Sequence, residues 1–296
     1  MNVYLNDKVV PSSEAKISVF DHGFLYGDGI YETMRAYDSL VFMVDEHIRR
    51  LFRSASLISL DIGKSADEAK LAIFETLQAS KLKDAYIRLT VSRGAGPIGL
   101  DPALCKSPTF VIMAHEFRDY PKAYYEEGLR LIISSVRRNL KEALNPQIKS
   151  LNFLNNILAK IEAIRADVEE SIMLNAEGHL AEGTISNIFF VKDDTLCTPS
   201  VECGILDGIT RDIVLDLAAK NNIAVSEGMF RPEDLFAASE VFITNTTMEV
   251  MPVRSVDGIH FKAGDIARLL LKKYREEVSG QLRDKKGEAR RRGTNR

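Results

Sequence analysis

A lysine at the mouth of a helix is more often a solvated surface charge than a nucleophile, and from its immediate neighbours alone Lys149 could be either. It follows a β-rich run, Leu129 to Val136, and a loop. It precedes Leu151, Leu154, Ile157, Leu158, Ile161 and Ile164 on helical spacing. That pattern predicts a helix with one buried face and an amine held at its entrance, where a neutral lysine can attack a carbonyl. Glu182 stands in Gly178-His179-Leu180-Ala181-Glu182-Gly183-Thr184-Ile185-Ser186-Asn187, just before a strand from Ile188 to Val191. A carboxylate there reads as a turn acid beside Gly183 or as the partner of a protonated ring nitrogen. Gly208-Ile209-Thr210-Arg211-Asp212 offers Thr210 as the N-cap of the next helix, whose free amides and dipole would gather an anion. Thr244-Asn245-Thr246-Thr247, ending a strand over 241–244, suggests a second anion site.

These residues need a scaffold, and the first half of the chain alternates strand and helix signals. Asn2 to Leu5 and Lys8 to Val10 read as a hairpin turning at Asn6-Asp7. Gly29 to Tyr37 and Val41 to Val44 read as a second strand pair. Helices are expected over about Asp45 to Ile58 and Ala66 to Ser80, and strands over Ala85 to Ser92 and Thr109 to His115. This is an α+β domain over residues 1–116. Residues 117–127 lack a core-forming pattern and read as a linker. An α/β domain over 128–279 follows, with strands at 129–136, 171–174, 186–191, 195–198 and 241–244. Its helices are expected near 152–166, 210–221, 232–238 and 263–277.

From Gly280 to Arg296 there are seven basic and two acidic residues and few apolar ones, which predicts a disordered basic tail over 280–296. A contact between that tail and a nucleic acid or an acidic partner is the minority reading. Elsewhere, 45% hydrophobic and 27% charged residues fit a globular protein, and a net charge of −3 gives no field that favours nucleic acid or an acidic membrane. There is no export signal and no apolar run long enough to span a bilayer, so a cytoplasmic protein is expected. Three scattered cysteines make no disulfide framework, and five histidines show no metal spacing, so no metal is expected.

The segment Ile148-Lys149-Ser150-Leu151-Asn152-Phe153-Leu154-Asn155-Asn156 resembles the one that carries the Schiff-base lysine of the class IV (fold-type IV) aminotransferases, which use pyridoxal 5'-phosphate. The resemblance runs over roughly residues 2 to 275. It implies two domains with the cofactor between them and Lys149 as the catalytic base. By the same resemblance Glu182 takes the pyridinium nitrogen. Arg50, Ile209, Thr210 and Thr246 hold the phosphate, Arg50 with the fork such a role calls for. Tyr26 and Tyr31 would face the substrate. Tyr86-Ile87-Arg88 resembles the Tyr-x-Arg of branched-chain aminotransferases, where the arginine takes the distal carboxylate of glutamate. Thr247 and Met248 match the loop whose amides take the substrate carboxylate.

The expected reaction is therefore transfer of the amino group between branched-chain L-amino acids and 2-oxoglutarate, in a homodimer or higher homo-oligomer. Two positions depart from the branched-chain pattern. Phe153 stands where a tyrosine is usual, and Tyr31 is a trait of D-amino-acid aminotransferases. On the same fold the alternatives are a D-amino-acid or (R)-amine aminotransferase and 4-amino-4-deoxychorismate lyase. A non-catalytic protein that only binds the cofactor is the alternative of another class. Tyr86, Arg88 and the loop Gly99-Leu100-Asp101-Pro102 favour the branched-chain reading.

Overall fold

The computed structural model describes residues 1–262 and 264–293, with side chains as far as Asp284; residues 294–296 of the expected tail lie outside the described residues. The chain forms two compact units. One comprises Met1–Arg118, Ile148–Asn152 and Val278–Arg296, and the other Asp119–Gln147 and Phe153–Glu277.

The first unit opens with a hairpin, β1 (Asn2–Leu5) and β2 (Lys8–Pro11), turning through Asn6 at φ 55°, a left-handed conformation that asparagine tolerates. A short helix α1 (His22–Tyr26) leads into β3 (Gly29–Tyr37) and β4 (Leu40–Val41). The second strand expected here was to reach Val44. It stops at Val41 because Met43 turns the chain at φ 53° and caps α2 (Val44–Leu57). Then come α3 (Ala66–Ser80), β5 (Ala85–Ser92) and β6 (Thr109–Glu116). Helix α3 starts where it should because Ser65 and Glu68 form a reciprocal capping box.

Among the described residues, six antiparallel strands make one sheet in the order β2-β1-β6-β5-β3-β4. Alternation along each strand sorts its two faces. Ile30, Met34 and Ala36 of β3, Ile87, Leu89 and Val91 of β5, and Phe110 and Ile112 of β6 form a core with Ile48, Leu51 and Ala55 of α2 and Ile73 and Leu77 of α3. The opposite face carries Tyr31, Thr33 and Arg35 of β3 across from Thr90, Arg88 and Tyr86 of β5.

The second unit begins with α4 (Lys122–Glu127), a short helix inside the segment read as a linker, and continues with β7 (Leu129–Ile133), α5 (Leu154–Arg165), β8 (Glu170–Leu174) and β9 (Leu180–Gly183). Next come β10 (Asn187–Lys192), β11 (Thr195–Pro199), α6 (Ile209–Lys220), β12 (Val225–Gly228) and α7 (Pro232–Phe236). β13 (Glu240–Asn245), β14 (Glu249–Val256), β15 (Ile259–His260) and α8 (Asp265–Gly293) complete it. The described strands form a mixed sheet, β12-β11-β10-β13-β14-β7-β8-β9, with β15 beside β14. Helix α8 runs past its expected end at 277 and on to Gly293; its residues from Val278 belong to the first unit. No described helix is long and apolar enough to cross a membrane.

The aliphatic stripe of α5 does not do what its spacing predicts. The residues that α5 buries are Asn156, Ala159 and Ala163, and Ser171 of β8 donates a hydrogen bond to the Ala159 carbonyl. Leu154, Ile157, Leu158 and Ile164 are 67%, 48%, 46% and 65% exposed. Close approach of helix backbone to sheet selects small residues for the contact, which turns the larger aliphatics outward.

Candidate active site

In the first unit, the backbone around Lys149 is held like a strand. The Tyr31 amide donates to the Lys149 carbonyl at 2.9 Å and the Leu151 amide to the Gly29 carbonyl at 2.9 Å, so residues 149–151 pair with the free edge at the start of β3. The Lys149 amide donates to Ser54 Oγ of α2, a buried hydroxyl, at 3.2 Å. The lysine is thus fixed by sheet pairing, ahead of α5, which begins only at Leu154, and not by the mouth of that helix.

Its Nζ lies 4.6 Å from the centre of the Tyr31 ring, and the Arg88 guanidinium carbon lies 3.9 Å from the same ring. Burial drives the Tyr31 hydroxyl well above the ordinary phenol range, so it stays protonated. The Tyr86 hydroxyl is 3.4 Å from Thr33 Oγ1 on the same sheet face. Lys149, Tyr31, Tyr86 and Arg88 therefore belong to one wall. Tyr26 is employed differently: its hydroxyl accepts from the Gly99 amide at 3.2 Å and its ring meets His22 edge-on.

Arg50 points from α2 to the core side of β3. Its Nε and Nη2 donate to Glu32 at 2.7 and 2.8 Å, and His47 Nδ1 lies 2.8 Å from the same carboxylate. All three side chains are buried. Burial pushes the His47 imidazole down from its ordinary value, and the nearby Arg50 and Lys149 charges add to that, against the opposing pull of Glu32. Glu32 and His47 escaped the sequence reading: His47 lies three residues before Arg50 on α2, but Glu32 is 18 residues away from Arg50, on β3.

In the second unit, Glu182 closes β9. Its Oε1 accepts from Arg138 Nε at 2.7 Å and its Oε2 from the Leu206 amide at 2.9 Å, with Asn187 Nδ2 at 3.5 Å. Asn187 Nδ2 also donates to the Leu206 carbonyl. On its other side, Asn187 Oδ1 would lie 2.0 Å from a Cβ on Gly208, so any side chain there would have to displace the Asn187 carboxamide.

Gly208, not Thr210, is the N-cap of α6, and no side chain caps it among the described residues. The chain reaches helical geometry two residues earlier than a Thr210 cap would place it, so Thr210 lies buried in the first turn. The first-turn amides, Ile209 and Thr210 included, head the dipole where an anion would be held. Nearby in sequence and register, the buried Ser186 Oγ and Thr244 Oγ1 have no hydrogen-bond partner among the described residues. Hydroxyls of this kind fit a ligand rich in acceptor oxygens.

Thr246 follows β13 in a turn built by Asn245. The Oδ1 of Asn245 accepts from the Thr247 amide at 2.9 Å, the Met248 amide at 2.7 Å and Thr247 Oγ1 at 3.0 Å; Tyr120 Oη lies 3.2 Å from that hydroxyl. Two consecutive amides and a hydroxyl thus converge on a single oxygen. Asn187 and Asn245 stood inside segments already singled out in the sequence but with no role assigned to them, while Arg138 and Tyr120 carried no signal of their own.

The class IV amino-transferase family model matches residues 29–256. A Methanocaldococcus jannaschii protein provisionally named branched-chain-amino-acid aminotransferase is 47% identical over 279 residues, 93% of this chain and 96% of that one. The aminodeoxychorismate lyase of Bacillus subtilis is 32% identical, covering 97% of this chain and 98% of its own. A crystal structure of the branched-chain amino acid aminotransferase from T.th., complexed with N-(5'-phosphopyridoxyl)-L-glutamate, has a TM-score of 0.89, with 32% identity and 94% of each chain covered. A match over most of the chain, in sequence and in three dimensions, places it in a single family: the protein belongs to the class IV aminotransferases.

Proposed function

We propose that the chain exchanges the amino group between branched-chain L-amino acids and 2-oxoglutarate with pyridoxal 5'-phosphate, through Lys149. The observation that carries this reading is the wall on which Lys149, Tyr31, Tyr86 and Arg88 meet. The relative whose structure holds a phosphopyridoxyl adduct of L-glutamate supports both the cofactor and the donor.

The donor set fits the cofactor. The first-turn amides of α6 at Ile209 and Thr210, the Thr246 hydroxyl and Arg50 would hold its phosphate, and Glu182 would take the proton on its ring nitrogen. When bound, the cofactor supplies an electron sink for charge that develops at the substrate α-carbon. Lys149 Nζ anchors the cofactor at rest and then carries the proton to and from that carbon. Arg88 takes the distal carboxylate of glutamate, while the apolar ring surface of Tyr31 packs against a leucine side chain. The amides of Thr247 and Met248, which donate to Asn245 Oδ1, would take the α-carboxylate in exchange for that oxygen.

The exposed aliphatic face of α5 supports a homodimer. In the first unit, so do Phe20, Phe24, Ile98 and Leu100, all more than half exposed and tied together by the Gly96–Phe20 and His22–Pro97 hydrogen bonds.

Purified protein loaded with pyridoxal phosphate is expected to lose its visible band on addition of L-leucine or L-glutamate and to keep it with D-alanine or D-glutamate. A response to the D-donors alone would overturn the substrate reading. Absence of a borohydride-reducible adduct on Lys149 would overturn the mechanism.

The turn at Asn245 gives a second expectation. Its carboxamide oxygen occupies the amides that a substrate carboxylate would need, so Asn245→Gly should bind a branched aliphatic carboxylate about 3- to 10-fold more tightly, by one net hydrogen bond. Weaker binding in the variant, read from the spectral shift, would show that Asn245 supports the site instead of competing for it.

A further inference from the structure

Arg138 is the charged group with the most direct hold on Glu182, and it lies in a loop for which the proposed reaction has no other use. Its position is fixed from three directions. The Arg138 amide donates to the Leu174 carbonyl at the end of β8, at 2.8 Å. Nη1 donates to Asn155 Oδ1 at 3.2 Å and Asn156 Oδ1 at 3.4 Å, on the first turn of α5. Those asparagines are themselves tied down: Asn155 Nδ2 donates to the Arg137 carbonyl and Asn156 Nδ2 to the Thr184 carbonyl, each at 2.7 Å. Thr184 is two residues beyond Glu182, and its amide and hydroxyl are gripped from behind by the buried Glu170 carboxylate, at 3.3 and 2.6 Å. The carboxylate of Glu182 is therefore held through Oε1 by Arg138 and through Oε2 by the Leu206 amide, with both charged side chains less than a tenth exposed.

We infer that Arg138 is a positioning residue for the cofactor, fixing Glu182 in the one orientation in which its carboxylate can serve the ring nitrogen. This rests on the proposed role of Glu182. A carboxylate on two rotatable bonds beyond Cβ loses orientation when one of its two anchors goes. An arginine with one nitrogen on Glu182 and another on the Asn155–Asn156 pair supplies a direction that a single ammonium cannot. The alternative is an ion pair that serves folding alone, and the two roles differ in what they move. A folding role changes the stability of the apoprotein; a positioning role changes cofactor affinity, and does so only while Glu182 is present.

The test is a double-mutant cycle in the full-length protein. The dissociation constant for pyridoxal phosphate is measured by absorbance titration of the apoprotein, alongside the apoprotein Tm. Arg138→Met should weaken binding about 10- to 100-fold, as loss of an outer partner does at other ligand sites. In a Glu182→Gln background the same change should cost less than about threefold. Arg138→Lys, which keeps the charge but not the planar fork, should be about 10-fold weaker with an unchanged Tm.

An equal penalty in both backgrounds overturns the inference, as does a lowered Tm with unaltered affinity. Should Arg138→Met fail to fold, Arg138→Lys decides alone, and wild-type affinity in that variant overturns the inference. A wild-type protein that takes up no pyridoxal phosphate overturns the proposed function together with the inference. A wild type that binds it beside an indifferent Arg138 overturns the inference only.

Discussion

Lys149→Ala should leave a folded protein whose amino transfer is slower by about 10⁴-fold, the upper range for removal of a positioned proton carrier that is also the point of attachment. The fold survives because the bonds that fix this segment are made by backbone. The carbonyl of residue 149 accepts from Tyr31, and its amide donates to Ser54 Oγ, whatever the side chain. The losses include the contact of an ammonium with the Tyr31 ring, worth about 0.5–1 kcal/mol, and for that contact Tm should fall by about 2–4 °C. Neighbouring cations cannot substitute. Arg88, stacked on the same ring, offers a planar guanidinium fork suited to a carboxylate and no amine to which the cofactor could attach. The control is Lys160→Ala: that lysine is on α5 and donates to the Glu169 carbonyl, and its loss should leave turnover unchanged. Turnover of Lys149→Ala within about tenfold of wild type would remove Lys149 from the chemistry.

How much of this was legible in the sequence depended on whether the signal was local. The start of helix α3 is written in Ser65 and Glu68, and β5 is legible because its residues alternate between a core face and a polar face. Lys149 and Glu182 stood out through their surrounding motifs. The face of α5 was misread for a physical reason: a row of large aliphatics marks a surface that avoids water, but not which partner covers it. Here the sheet took the alanines instead.

Strands β9, β12 and β14 were not expected. The first lay inside a segment already read as a site, the second is short and largely polar, and Pro252 interrupts the third's pattern. Arg138 was beyond reach because its contact with Glu182 spans 44 residues and begins in a loop. Asn245 shows a subtler limit. A threonine-rich turn suggested an anion site, and only the folded backbone reveals that the asparagine's own oxygen is the acceptor.

The largest stability effect is expected at Glu32, where Ala should cost about 3–5 kcal/mol. Glu32 is 1% exposed and faces the Arg50 fork on one side and His47 on the other, so solvent screens the cluster little. Burial alone would push the Glu32 carboxyl upward. The Arg50 charge and hydrogen bonds, with those of His47, outweigh it and hold the group well below the usual carboxylate range. The imidazole is shifted down as well, chiefly by burial. Both shifts are depressions, so the unfolded chain takes up protons first. The stability these groups contribute is complete above pH 6.5. It is lost as pH falls, first through the histidine and then, below 4.5, through the glutamate. Glu32→Gln keeps the shape and removes the second of these losses. Its Tm should start lower than wild type at pH 7 and then fall less steeply below pH 4.5. Parallel curves in that range would mean that the acid sensitivity arises elsewhere. Because the same carboxylate aims Arg50, proposed to hold the cofactor's phosphate, Glu32→Gln should also weaken pyridoxal phosphate binding at pH 7, where its effect on folding is not limiting. Stability and cofactor affinity would then change together at a residue that touches no substrate, as expected of a side chain whose work is to hold another in place.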